Sequence, residues 1–442
     1  MYPNLYYLFK DLFGVEWHSL AFLNTFGLMV AIAFVVAAWV LSMELKRKEK
    51  AGLLSPREES ITVGKPASIA ELLTNGIAGF LFGFKIGGLF FSKPVELSPQ
   101  DYIFSAEGNW ITGLLLASVL IYLKWSEKNK IKLDVPEERI IRIWPHDRVG
   151  DIIVIGLIFG ILGAKLFDNL EHWDEFWANP IERLFSQSGL TFYGGLILAT
   201  IAICWFAYKK NIILKHLMDA AAPALMIAYA IGRIGCQISG DGDWGIYNSA
   251  YVSDNTGKTT LAKPGDFENM LIKDSTYFLK GMVIEGNQQV YVTDRIYPSL
   301  EQVPHHAIKA PAFLPDFLFA YSYPQNVNKD GILMPSITDE HNRVLPSPVF
   351  PTPLYETIIC SLLFVIMWVY RKSIKTPYLM FGLYLFLNGA ERFAVELMRV
   401  NISYRLSGGF QLTQAELIAS ILMPIGFILM SLSRIIQKKS EI

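Results

Sequence analysis

Apolar runs of bilayer-spanning length recur along the whole chain, and they restrict the fold more than any other feature. A helix needs roughly 20 apolar residues to cross the hydrocarbon core, and a backbone in lipid must satisfy its own polar groups. Nine stretches read as spans, at about 19–43, 68–91, 110–125, 150–170, 190–208, 216–235, 354–370, 377–398 and 414–434. Composition agrees: the chain is 52% hydrophobic and only 18% charged, where soluble domains carry about 25% charged residues. The expected class is an all-α polytopic membrane protein with an extracytoplasmic insert. A net charge of −1 suggests no nucleic-acid partner.

Loop charge sets the expected orientation. The dense basic clusters lie at 46–50, 124–132, 209–215, 371–375 and 434–439. An odd number of spans with the N-terminus outside puts all five on the cytoplasmic side. The first run ends in Lys46-Arg47-Lys48 and fits a span better than a cleavable signal. The expected organisation is a first span and cytoplasmic loop (1–66), a hairpin (67–132), core spans (133–245), an extracytoplasmic cap (246–350) and three final spans (351–442). The cap is rich in Pro, Asp, Asn, Tyr and Ser, includes strand-like pieces near Gln289 and Thr293, and is too long for a plain loop. Its His305-His306 pair reads as surface. Trp173, Phe176 and Trp177 suit a helix lying in the outer interface.

The hairpin at 67–132 looks like a copy of 150–208. Gly76, Gly83 and Lys85 match Gly156, Gly163 and Lys165 at an offset of 80. After a one-residue slip, Phe104, Ser105, Gly108 and Gly113 match Phe185, Ser186, Gly189 and Gly194. The glycines read most simply as close-packing points between helices.

Chemistry concentrates at 232–245, Gly-Arg-Ile-Gly-Cys-Gln-Ile-Ser-Gly-Asp-Gly-Asp-Trp-Gly. An arginine ending a membrane helix is costly and marks a functional site by default. The glycines permit sharp turns, and Asp241 and Asp243 follow at once. In the expected topology Arg233, Lys165, Tyr193, Tyr355, Glu356, Arg392, Glu396 and Arg399 all lie at the outer headgroup level. The last three are spaced i, i+4, i+7 and share a helix face. A phospholipid headgroup site would need such cations. Plainer roles exist for several: snorkelling for Lys85 and Lys165, interfacial anchoring for Tyr193, packing for Cys236, a helix-terminal charge for Asp219. Cys204, Cys236 and Cys360 suggest no disulfide framework, and no Cys/His metal spacing occurs.

These motifs, in order, resemble the bacterial phosphatidylglycerol–prolipoprotein diacylglyceryl transferase family. They are Gly232-Arg233-Ile234-Gly235 through Asp241 and Trp244-Gly245, Leu162-Gly163-Ala164-Lys165, Tyr193-Gly194-Gly195-Leu196-Ile197, Pro351 through Tyr355-Glu356, and Arg392 through Glu396 and Arg399. Asn24 through Met29 adds to the likeness, which spares the second and third spans and most of 246–350. Tyr193 stands where the family has histidine, Cys236 and Ser239 replace asparagines, Asp241 replaces a glutamate, and Asn388 replaces a tyrosine.

The resemblance implies a seven-helix core plus the extra hairpin, and a transferase of the bacterial inner membrane. It would move the diacylglyceryl group of phosphatidylglycerol to the lipobox cysteine thiol of prolipoproteins and release glycerol phosphate. The implied partners are phosphatidylglycerol, lipobox signal peptides and membrane lipids. The implied catalytic residues are Arg233, Arg392, Tyr193, Asp241 and Glu396. Arg233, Lys165, Arg392, Arg399, Gly194, Gly195, Gly232, Gly235, Tyr355, Glu356 and Asp243 would bind the lipid. No cofactor or metal is implied. A field from the arginines would activate the thiol, Tyr193 would orient the headgroup, and Asp241, Asp243 or Glu356 could accept the proton. A lipid or solute transporter, or an inactive lipid-binding relative, are the competing readings.

Overall fold

The structure is a computed structural model and describes residues 1–91, 102–103, 105–185, 191–286, 288–399, 403–405 and 411–440. Among the described residues, each of the nine apolar stretches forms a long helix. These are α1 (Thr25–Lys50), α2 (Ile69–Phe91), α3 (Trp110–Lys130), α4 (Val149–Glu171), α5 (Phe192–Lys209), α6 (Leu214–Ser239), α7 (Thr352–Tyr370), α8 (Leu379–Glu396) and α9 (Gln414–Ser440). Six of them, α1, α2, α4, α6, α7 and α9, are long and apolar enough to cross a membrane. α5 is apolar but shorter. The protein is thus a largely helical, polytopic membrane protein.

Polar residues set the helix starts. Asn24 Oδ1 accepts the Phe26 and Gly27 N–H groups, so α1 begins at Thr25 rather than near residue 19. Its far end runs on through the basic residues to Lys50, where cations suit a helix C-terminus. Ser68 with Glu71, and Thr413 with Glu416, exchange reciprocal backbone bonds ahead of α2 and α9.

The chain divides into two compact units. One comprises Trp17–Phe22 and Ser42–Leu214. It contains two helical hairpins, α2–α3 and α4–α5, each closed by glycines. A Cβ on Gly83 would lie 2.5 Å from the Thr112 carbonyl oxygen and 3.0 Å from Gly113 Cα. A Cβ on Gly163 would collide with the Gly194 carbonyl. The glycine pairs matched in sequence therefore occupy equivalent contacts. Lys85 does not snorkel: its Nζ donates to the carbonyls of Tyr102, Ser105 and Glu107 at 2.6–2.9 Å. Phe104, Ser186 and Gly189 of the repeat lie outside the described residues.

A strand pair joins the loops of this unit. β1 (Arg57–Val63) runs antiparallel to β2 (Glu137–Ile143). Glu59 Oε1 also takes Arg148 at 2.6 Å and Lys210 at 3.3 Å. These contacts gather the segments that follow α1, α3 and α5 at one end of the unit.

The other unit comprises Met1–Glu16, Leu23–Leu41 and Lys215–Ile442. Pro223 and Pro424 lie inside α6 and α9. α8 and α9 approach through Gly382 and Gly426; a Cβ on either would come within 2.6–2.8 Å of the other's carbonyl oxygen. Asp219 does more than charge a helix start: its carboxylate accepts the N–H groups of Tyr378 and Phe381, each at 3.0 Å, fastening α6 to the first turn of α8. Within 246–350, Gln288–Tyr291 pairs with Met282–Glu285. Tyr247, Phe267, Tyr277, Phe278 and Tyr323 form an aromatic core there, joined by Trp244 from the preceding turn. His305 and His306 sit exposed on a short strand parallel to Tyr247–Asn248.

Candidate active site

The glycine-rich stretch turns back on the helix it follows. Gly240 and Gly242 adopt φ of +66° and +94°, a region that favours glycine. The reversal brings Asp243 onto Arg233, ten residues earlier. The loop is fastened from several sides. Thr352 Oγ1 donates to the Asp243 carbonyl at 2.7 Å, Gly245 N–H to Phe350 at 2.8 Å, and Ile246 N–H to Met398 at 2.9 Å. Arg295 donates to the Gly242 carbonyl and lies 5.1 Å from the Trp244 ring centre.

Three guanidiniums converge on two carboxylates. Asp243 pairs through one oxygen with Arg233 and through the other with Arg399. Glu356, fully buried in the first turns of α7, meets Arg233 Nε at 3.1 Å and Arg392 Nη1 at 2.7 Å. It also accepts from the Tyr229 hydroxyl at 2.9 Å. Arg392 Nη2 reaches Glu396 at 3.3 Å, one turn along α8. α8 ends at Glu396, so Arg399 lies just beyond it, held by a backbone bridge to Gly245. Arg399 Nη1 is buried, 3.9 Å from Glu356, with no hydrogen-bond acceptor.

Three arginines pair directly with three carboxylates, Asp243, Glu356 and Glu396, and Asp241 and Glu391 lie close by. Isolated charges would be prohibitive at such a depth, so mutual pairing is what makes the cluster tolerable. Outside the spans, the aspartates separate electrostatically. Burial alone would raise the Asp243 carboxyl, but Arg399 and Arg233 outweigh it and hold it below its ordinary range. The Asp241 carboxyl, 3.3 Å from the Asp243 N–H, is pushed up by burial and by the Asp243 charge. A shared phosphate-sized anion could compete for the arginines only by displacing a carboxylate.

The sulfur of Cys236 and the carboxylates of Asp241 and Asp243 lie within 4.8 Å of one another. They make a poor cation site. Both oxygens of Asp243 are committed to guanidiniums, and Arg233 Nη1 also contacts the Cys236 sulfur at 3.6 Å.

The structure therefore joins six residues singled out from sequence, Arg233, Asp243, Glu356, Arg392, Glu396 and Arg399, with Asp241 alongside. Gly235 packs against Met29 and Phe26, and a Cβ on Gly232 would meet nothing. Tyr355 turns away from the arginines and donates to the Leu318 carbonyl at 2.5 Å. Lys165, Tyr193, Gly194 and Gly195 belong to the other unit. There Tyr193 sits in the first turn of α5, and a Cβ on Gly195 would come 2.7 Å from the Gly160 carbonyl oxygen. Close helix packing thus accounts for the paired glycines. Two participants escaped the sequence reading. Tyr229 looks like core in an apolar run. Glu391 is buried one position before Arg392, with the Cys360 side chain against it.

Residues 109–432 match the family model described as prolipoprotein diacylglyceryl transferase. The match takes in α3 and the segment 246–350 and leaves out α1 and α2, a different boundary from the one the motifs suggest. Named phosphatidylglycerol–prolipoprotein diacylglyceryl transferases are among its relatives. That of Leptospira interrogans is 30% identical over 124 residues, covering 23% of this chain and 39% of the relative. That of Dehalococcoides mccartyi is 35% identical over 95 residues, 22% of this chain and 36% of the relative. That of Shouchella clausii is 28% identical over 145 residues, 32% and 49%. The chain thus spans less than half the length of these relatives. With nearly three quarters of its length inside the family model, and with the ordered arginine and acid motifs gathered into one network, the chain belongs to the prolipoprotein diacylglyceryl transferase family.

Proposed function

We propose that the protein transfers the diacylglyceryl group of phosphatidylglycerol to the lipobox cysteine of a prolipoprotein signal peptide and releases glycerol phosphate. The reaction takes place at the outer leaflet of the bacterial inner membrane, with the N-terminus outside and the C-terminus cytoplasmic. The observation that carries this reading is the partly buried three-arginine network at the ends of α6 and α8, closed on the fully buried Glu356. A phosphodiester needs cations to hold it and to take up charge as it leaves.

The ion pairing defines how lipid enters. The phosphate replaces Asp243 on Arg233 and Arg399, and the free donor of Arg399 Nη1 takes one of its oxygens. Glu356 and Glu396 keep Arg392 and Arg233 oriented. The substrate thiol then attacks the glyceryl carbon next to the phosphate oxygen. A carbon–sulfur bond forms, the carbon–oxygen bond breaks, and the electron pair leaves with the phosphate as a phosphomonoester. The thiol proton goes to a carboxylate. Asp241 suits this role, since its raised pKa brings it nearer the thiol's ordinary value of about 8.5. The displaced Asp243, freed from two guanidiniums, is a second acceptor. Tyr193, with a reference pKa of about 10, is a poor base.

The test uses purified protein, phosphatidylglycerol and a lipobox peptide. Mass spectrometry should find the peptide carrying one diacylglyceryl group, and none when the peptide cysteine is serine. A folded protein that binds lipid yet never modifies the peptide would overturn the enzymatic reading.

A further inference from the structure

Residues 308–319 leave and re-enter the body of their unit through one narrow neck. Asn248, fully buried, holds both ends: its Nδ2 donates to the carbonyls of Ile308 at 2.8 Å and Phe319 at 3.0 Å, and its Oδ1 accepts the Ile308 N–H at 3.1 Å. Tyr251, also buried, forms a second clasp. Its hydroxyl accepts the Ala310 N–H at 2.9 Å and donates to Asp316 at 2.7 Å. Between the clasps runs Pro311-Ala312-Phe313-Leu314-Pro315. This is a compact Ω-shaped loop with ends fixed from the inside.

Its tip is apolar and uncovered. Phe313 is 83% exposed and Phe317 50%, with Ile308 and Leu314 also on the surface. A rigid neck displaying such a tip implies a counter-surface, because ordering an apolar loop in water gains nothing.

We infer that this loop is a membrane wedge: Phe313, Leu314 and Phe317 insert among the lipids of the outer leaflet and anchor segment 246–350 to the bilayer. Three observations favour lipid. The Leu318 carbonyl accepts from Tyr355, in the first turn of α7, so the loop is tied to the end of a membrane-length helix. Pro311 and Pro315 have no N–H, and the Leu314 N–H bonds to the Pro311 carbonyl at 2.9 Å, which removes three donors from the tip. Lys309 at the neck is placed for headgroup phosphates. The inference depends on α7 being a span with this end outside, and not on catalysis.

Phe313→Cys, made with Cys204, Cys236 and Cys360 changed to alanine, is labelled with a nitrobenzoxadiazole fluorophore. The protein is reconstituted in phosphatidylglycerol–phosphatidylcholine vesicles. Glu268→Cys, on an exposed face of the same segment, gives the aqueous baseline. Insertion predicts blue-shifted emission at 313, quenching by doxyl-labelled phosphatidylcholine, and weaker iodide quenching than at 268. Phe317→Cys should report the same, which guards against a label that distorts the tip. A label at both 313 and 317 that behaves like the one at 268 overturns the inference. So does a tip shielded only when lipobox peptide is added, which would assign the loop to the protein substrate. Peptide modification measured on wild-type protein in the same vesicles keeps the two readings apart: active protein with a wet loop refutes only the wedge.

Discussion

Glu356→Gln isolates what the buried carboxylate does. The change keeps shape and one acceptor oxygen but removes a charge that meets Arg233 at 3.1 Å and Arg392 at 2.7 Å. Of the carboxylates paired directly with the three guanidiniums, only Asp243 and Glu396 would remain, one negative charge fewer than in the parent. Breaking a buried pair from one side costs about 3–5 kcal/mol. The variant should therefore unfold well below the parent in a zwitterionic detergent. In the variant a phosphodiester can join the guanidiniums while Asp243 stays in place, and its negative charge makes up for the one removed from Glu356. Ligand at 100 times its Kd returns about 2.7 kcal/mol to the folded state, so phosphatidylglycerol should recover a large part of the loss, and phosphatidylcholine much less. Thermal unfolding followed by tryptophan emission, with and without each lipid, is the assay. The electrostatic account is refuted if Glu356→Gln melts with the parent, or if both lipids rescue it equally.

Other consequences follow from single contacts. If Asp241 accepts the proton, turnover falls as pH drops through its raised pKa, because the protonated acid cannot act as base; the acidic limb should lie above the ordinary carboxyl value of about 3.9 and change in Asp241→Asn. Asp243 shifts the opposite way: its ion pairs stabilise the fold above the ordinary carboxyl pKa, and that stability is lost as pH falls through its depressed value, which a pH series of melting temperatures would detect. Gly382→Ala would push a methyl against the Gly426 carbonyl and should cost about 1–3 kcal/mol in a melting experiment, separating α8 from α9. Tyr193→Phe should retain most peptide modification; complete loss with lipid binding intact would make the hydroxyl chemically essential.

Much of this arrangement is legible in the linear chain, for identifiable reasons. Apolar length located every long helix, because a bilayer-spanning helix carries its signal locally. The spacing of Arg392, Glu396 and Arg399 pointed to one face, although α8 ends at Glu396 and Arg399 reaches the site from the following turn. Long-range pairings were not legible. Asp243 meets Arg399 across 156 positions only because Gly240 and Gly242 reverse the chain and Phe350 and Met398 hold its backbone. β1 and β2 are rich in Arg and Glu and show no apolar alternation, so nothing marked them as strands. Tyr355 sits in the right motif, yet its hydroxyl serves the loop at Leu318. Asp219 read as a helix-terminal charge because its partners, the Tyr378 and Phe381 backbone, are distant in sequence.

The most direct test of the central claim follows the phosphorus. Phosphorus NMR of protein, phosphatidylglycerol and lipobox peptide reports which bond breaks. The account predicts that the lipid phosphodiester signal declines as a water-soluble phosphomonoester appears, in step with peptide modification. Arg233→Ala should slow both by about 10²–10³-fold, the cost of losing one transition-state donor. A phosphodiester that persists while the peptide gains mass would contradict carbon–oxygen cleavage, and full activity in Arg233→Ala would remove the arginine network from the reaction.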